Sequence, residues 1–157
     1  MSEPTGSTGS TGSARTAGRV VAHLELPADP EALDTAHDAL DAAWAEHPEI
    51  GAGERIRFVT ALMEILGNVV EHAYAADASA AERRLTVEVV GDGDGGLRGR
   101  IEDNGQPAAL DLSDVVMPDA DAESGRGLAL AVAALDDLSY IRVGSRNVWT
   151  LRCERRP

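Results

Sequence analysis

Apolar and polar positions alternate over residues 20–26, and the run opens on two valines, so it reads as a strand that Pro27 ends. Asp29-Pro30 then opens a helix to about residue 46. Leu33, Ala36, Leu40, Ala43 and Trp44 recur there at helical spacing, and His47-Pro48 closes it. A longer helical pattern covers residues 53–74. Residues 84–90 read as a strand, the Gly- and Asp-rich run 91–96 as a hairpin turn, and 97–103 as the returning strand. Residues 106–124 hold two prolines and many acids and read as loop. A third helix is expected from Gly125 to about residue 137, carrying Leu128, Leu130, Val132 and Leu135. Strands at 140–143 and 148–153 then flank a turn at 144–147. This order predicts an α+β chain: a two-layer α/β sandwich with a mixed, mostly antiparallel sheet and its helices on one face. It fills residues 19–157 as one domain. Residues 1–18 are rich in Ser, Thr and Gly and are expected to form a disordered tail, since they offer too little apolar surface to offset ordering entropy.

The second helix carries more than a packing face. At about 100° per residue, Phe58, Leu62, Ile65, Leu66, Val69 and Ala73 share one arc, suited to a sheet. Glu64, Asn68, Glu71 and His72 share the opposite arc, flanked by Thr60, Ala61 and Gly67. An arc of that kind is ordinarily solvated surface. Yet a mid-helix Gly costs about 1 kcal/mol relative to Ala, and Asn is a poor helix former. Small residues beside a carboxylate and an amide suit a helix that something approaches closely. Glu64 and Asn68, at i and i+4, put a possible base beside a neutral oxygen ligand. Mg²⁺ on phosphates needs only one or two protein oxygens.

Composition narrows the chemistry. All 14 basic side chains are Arg, which excludes a P-loop lysine and a Schiff base. A formal charge of −13 repels phosphate backbones, so no direct nucleic-acid partner is expected. One Phe, two Trp and two Tyr leave little for base stacking. The single cysteine, Cys153, allows no internal disulfide, there is no signal-like start, and no apolar run approaches membrane-spanning length. A cytoplasmic location away from membranes is the expectation. His23, His37 and His47 read as surface or helix-end residues, and no pair has zinc-ligand spacing.

Two glycine clusters remain. Asp103-Asn104-Gly105 ends a strand and is by itself an ordinary turn. Gly125-Arg126-Gly127 opens a helix, where free N–H groups, the helix dipole and a guanidinium can meet an anion. A dinucleotide fingerprint is excluded, because Leu130 stands where a third Gly would be needed.

The order of these pieces is more specific than any one of them. Glu64, Asn68 and His72 at four-residue spacing precede a hairpin, then Asp103-x-Gly105, an acidic loop and Gly125-x-Gly127. Over residues 20–153 this resembles the GHKL ATP-binding superfamily, and the stretch from Met63 to Tyr74 most resembles the stand-alone anti-sigma factor serine/threonine kinases of bacteria. The resemblance implies Asn68 as the Mg²⁺ ligand and Glu64 as base toward an acceptor hydroxyl. It implies that Asp103 accepts from the adenine amino group, with Gly105 letting backbone approach the base. Gly125 and Gly127 would form the lid end over the ATP phosphates, with Arg126 meeting phosphate or partner. It further implies an anti-anti-sigma (STAS-type) protein as substrate, sequestration of a sigma factor, a role in transcription regulation and stress response, and a homodimer. The alternative is a binding-only regulator of the same fold with weak or non-catalytic nucleotide binding. The chain departs from the pattern in two places. Gln106-Pro107 stands where a second Gly follows, which stiffens that turn. The lid holds Asp111, Asp114, Asp119, Asp121 and Glu123, which disfavour a triphosphate unless the loop swings out or grips a basic partner.

Overall fold

The alternating N-terminal run forms β1 (Arg19–Pro27), paired antiparallel with β2 (Arg84–Gly91). A bulge between Val20 and Ala22 breaks the register, so Val21 is buried as well as Leu26. A tight turn joins β2 to β3 (Leu97–Asp103), with Asp92 N–H donating to Gly96 O at 2.8 Å and Gly95 at φ +94°. The computed structural model describes residues 18–75, 83–108, 111–117 and 125–157. The expected tail, except Gly18, and the lid acids Asp119, Asp121 and Glu123 lie outside the described residues.

β3 pairs with β5 (Arg146–Cys153), and β5 with β4 (Asp137–Val143), giving the order β1-β2-β3-β5-β4. Among the described residues every pairing is antiparallel, so the sheet is not mixed. β3 and β4 do run parallel, but β5 lies between them and accepts both ladders.

Three helices cover one face. In α1 (Glu31–Trp44), Asp29 Oδ1 accepts from Ala32 N–H at 3.0 Å and satisfies a first-turn donor. In α2 (Ala52–Ala75), Phe58, Leu62, Ile65 and Leu66 are fully buried and Val69 is 6% exposed, facing Val87, Val89, Ile101 and Leu151 of the sheet. Ala61, placed at the edge of the polar arc by the wheel, is also fully buried, because α2 packs against α3 (Arg126–Ala134) too. His47 is buried rather than superficial, with Nδ1 3.1 Å from Glu49 Oε1 and its carbonyl accepting from Arg55.

α3 ends at Ala134, short of the expected residue 137, because the sheet claims the next residues. Asp136 N–H donates to Arg152 O, and its carboxylate accepts from Glu154 N–H and from Arg57. Those contacts hold the Asp136 carboxyl below the usual carboxylate range, the Glu154 N–H first among them. Leu130 faces outward at 41% exposure, while Leu135, just past the helix, is buried. The β4–β5 turn is shorter than expected. Only Gly144, at φ +59°, and Ser145 separate the strands.

Gly67 does not admit a close neighbour. A Cβ there would meet only Leu33 Cδ2, at 3.8 Å, an ordinary contact, and its φ is unstrained for an L-residue. Gly67→Ala is therefore expected to raise stability by about 0.5–1 kcal/mol and leave the polar arc unchanged. Denaturant titration checks this, and a loss of stability would show that the gap between α2 and α1 is needed. Among the described residues no helix is long and apolar enough to cross a membrane.

Candidate functional site

Between α2, the end of β3, β5 and the start of α3 lies a cleft of about 460 Å³. All seven residues singled out from the sequence line it: Glu64, Asn68, Asp103, Gly105, Gly125, Arg126 and Gly127. They come from three separate stretches of chain, and the sheet order brings those stretches together.

α2 contributes the polar arc. Glu64 and Asn68 are half-buried and Glu71 and His72 exposed, all four facing the cleft. Across from Glu64 sits the first turn of α3. A Cβ built on Gly127 would overlap Glu64 Oε2 and come within 3.9 Å of Glu64 Cβ. The close approach that small residues were expected to permit therefore occurs at Gly127, not at Gly67. Gly125 precedes α3 at φ +87°, a left-handed backbone that favours glycine. Arg126 is exposed at the same rim. The free N–H groups of a nine-residue helix thus open onto the cleft beside a guanidinium.

β3 contributes Asp103, a carboxylate only 6% exposed. Its Oδ1 accepts from Gly105 N–H at 2.8 Å and from Asn147 Nδ2 at 2.9 Å. Among the described residues Oδ2 makes no hydrogen bond. A Cβ at Gly105 would stand 2.8 Å from Asp103 Oδ1. A side chain at 105 would therefore push on the carboxylate that its own N–H holds.

Four more residues of the site were missed in the sequence. Asn147 and Trp149 line the cleft from β5, and Tyr140 and Arg142 support them from β4. Tyr140 lies against Trp149 with ring centroids 4.7 Å apart. Reading residue 147 as turn hid the signal. With β5 begun at Arg146, Asn147, Trp149, Leu151 and Cys153 share the inward face, and an amide on a core face demands partners.

Gln106-Pro107, the departure from the glycine pattern, is held from outside: Gly105 O accepts from Arg142 Nη1 at 2.9 Å, Gln106 O from Asn147 Nδ2 at 2.7 Å, and Ala108 N–H donates to Tyr140 Oη at 3.0 Å. Of the acidic loop, Asp111 and Asp114 are described, and neither lines the cleft. Asp111 instead caps a short 3-10 turn, Leu112–Asp114, accepting from the Ser113 hydroxyl and N–H, which lowers its carboxyl from the ordinary range.

The cleft suits a nucleotide with a metal on its phosphates. Its volume lies in the range of small-molecule sites. A buried carboxylate lines it together with an amide oxygen, a helix N-terminus and an arginine. Asn68 offers the neutral oxygen that Mg²⁺ on phosphates accepts alongside water.

Comparison with known proteins agrees with this architecture. A crystal structure of the RsbU and RsbW domains of Rv1364c from Mycobacterium tuberculosis is similar, with a TM-score of 0.56 and 24% sequence identity over 84% of this chain. The chain spans 32% of the length of that one, so the likeness is one of fold. No curated protein matches. The family described as the histidine kinase-like ATPase domain matches residues 26–153, from the end of β1 to the last residue of β5 and so across every element of the cleft: the chain belongs to that family.

Proposed function

We propose that this domain binds Mg·ATP and transfers the γ-phosphoryl group to a serine or threonine of a protein partner, acting as an anti-sigma factor kinase. One observation carries the reading: Glu64, Asn68, Asp103, Gly105 and the start of α3, far apart in sequence, converge on one cleft. Membership of an ATPase family supports the nucleotide. The spacing of Glu64, Asn68 and His72 supports the anti-sigma branch, with an anti-anti-sigma (STAS-type) substrate, a sigma factor as captive, and action in the cytoplasm as a homodimer.

In this reading Asp103 Oδ2 accepts from the exocyclic amine of adenine, and Gly125, Arg126 and Gly127 meet the phosphates. Asn68 holds Mg²⁺, which supplies positive charge to the phosphate oxygens. Glu64 takes the proton of the acceptor hydroxyl as that oxygen bonds the γ-phosphorus and the bond to ADP breaks. A chain without lysine can do this, since positioning, the helix N-terminus and an arginine supply the remaining electrostatics.

Asn68→Ala tests the metal assignment. Asn68 lies off the core face, so the fold should be retained while Mg²⁺-dependent ATP affinity falls by about tenfold or more, the scale of one lost contact to a charged group. Calorimetry with and without Mg²⁺ reads it. Unchanged Mg·ATP affinity would remove Asn68 from the metal. Transfer of labelled phosphate from ATP to a purified STAS-type protein tests the activity. Capture of the partner with no transfer would leave a binding-only regulator.

A further inference from the structure

We infer that Asn147 is a positioning residue for the nucleotide base, acting only through Asp103; this rests on the ATP reading above. Asn147 lies opposite Asp103 in the β3–β5 register and is 3% exposed. Its amide has two donors and two acceptor lone pairs, and all four are used. Nδ2 donates to Asp103 Oδ1 at 2.9 Å and to Gln106 O at 2.7 Å. Oδ1 accepts from Tyr140 Oη at 2.6 Å and from Arg142 Nη1 at 2.9 Å. A flipped amide would set NH₂ against the guanidinium and oxygen against two acceptors, so the partners allow one orientation. Although Asn147 lines the cleft, it has no group left for a ligand. What it does is immobilise one oxygen of Asp103 and thereby aim the other.

The same hairpin fixes the turn after Asp103. Arg142 holds the Gly105 carbonyl, Asn147 the Gln106 carbonyl and Tyr140 the Ala108 N–H. A turn in which Gln106-Pro107 replaces a glycine is thus clamped by the strands β4 and β5 before any ligand arrives. Binding then needs no ordering of this wall, and a base must match a fixed oxygen rather than a swinging one. A purine with an amino group at that point donates to Asp103 Oδ2. One with a carbonyl there sets oxygen against oxygen.

The test compares ATP with inosine triphosphate, which carries a carbonyl where adenine has its amino group. Binding and transfer kinetics are measured on wild type, Asn147→Ala, Tyr140→Phe, Asp103→Ala and the Asp103→Ala/Asn147→Ala double variant. Asn147→Ala is expected to weaken ATP by about tenfold to a hundredfold, the scale of a lost hydrogen bond to a charged group. KM should rise while kcat at saturating ATP stays within about twofold, and preference for ATP over the inosine nucleotide should narrow. The double variant should lose no more than Asp103→Ala alone, because both act on one contact. Tyr140→Phe removes one hydroxyl and keeps the ring on Trp149, so a loss of about threefold is expected from weakened support of Asn147 and of the turn at Ala108. Should Asn147→Ala fail to fold, Tyr140→Phe decides, and its unchanged affinity and preference overturn the proposal. Wild-type ATP affinity in Asn147→Ala, additive losses in the double variant, or a fall in kcat at unchanged affinity also overturn it. If the wild type itself binds no nucleotide, the ATP reading fails and the role of Asn147 falls with it.

Discussion

Glu64→Gln is expected to lower phosphoryl transfer by about a hundredfold or more while nucleotide and partner still bind. The amide keeps the size and shape of the carboxylate, so contacts made by its outline survive. It cannot take a proton at neutral pH, so the acceptor hydroxyl stays a poor nucleophile. Glu64 is half-buried against Gly127 and lines the cleft together with Asn68, one helical turn away. An exposed structural glutamate in the same place would become glutamine with almost no effect. Rate and binding measured on the same variant therefore separate the two roles. Equal transfer by wild type and variant would remove Glu64 as the base. Gly127→Ala gives the geometric counterpart. Its methyl group would overlap Glu64 Oε2, the movable end of a flexible side chain, so the carboxylate should shift while the fold holds. Transfer should fall with the melting temperature nearly unchanged.

Phe58→Ala is expected to destabilise the domain by about 3–5 kcal/mol, a large share of the roughly 5–15 kcal/mol that holds a domain of this kind folded. Phe58 is fully buried, and its ring lies directly on the sheet over Gly99. A Cβ at Gly99 would stand 2.7 Å from Phe58 Cζ and 3.5 Å from Leu151 Cβ. Gly99→Ala should therefore also destabilise, by about 1–3 kcal/mol, through overpacking. In the double variant the new methyl group enters space the ring has left, so the losses should fall short of their sum by about 0.5 kcal/mol or more. Urea or thermal unfolding of the four proteins measures this. Strict additivity would mean that the ring does not rest on Gly99. The site bears on the cleft as well, since the same helix carries Glu64 and Asn68 two and three turns further on.

Local periodicity was enough for the element order and for α2. Phe58, Leu62, Ile65, Leu66 and Val69 are buried where the wheel places them, and β3 runs over the residues its alternation marks. The seven residues that line the cleft were legible for a different reason. The carboxylate–amide pair and the two glycine clusters are each ordinary for their elements, and it is their order along the chain that is distinctive. Where α3 stops was not legible, because Asp136 is drawn out of the helical path by Arg57, Arg152 and Glu154, residues 16 or more positions away. Gly67 and Gly127 look alike in sequence. Only packing shows that Gly67 borders Leu33 at ordinary distance while Gly127 abuts Glu64. Asn147 was hidden for the same reason. A two-residue change in where β5 begins moves it from a turn to the inward face, and its four partners come from β3, the turn after it and β4. Hydrophobic spacing along one segment marks the face that segment turns to the core, because side chains at that period point to one side. Which polar groups meet on the far side depends on how strands are ordered, and contacts across that order exist only once the chain has folded.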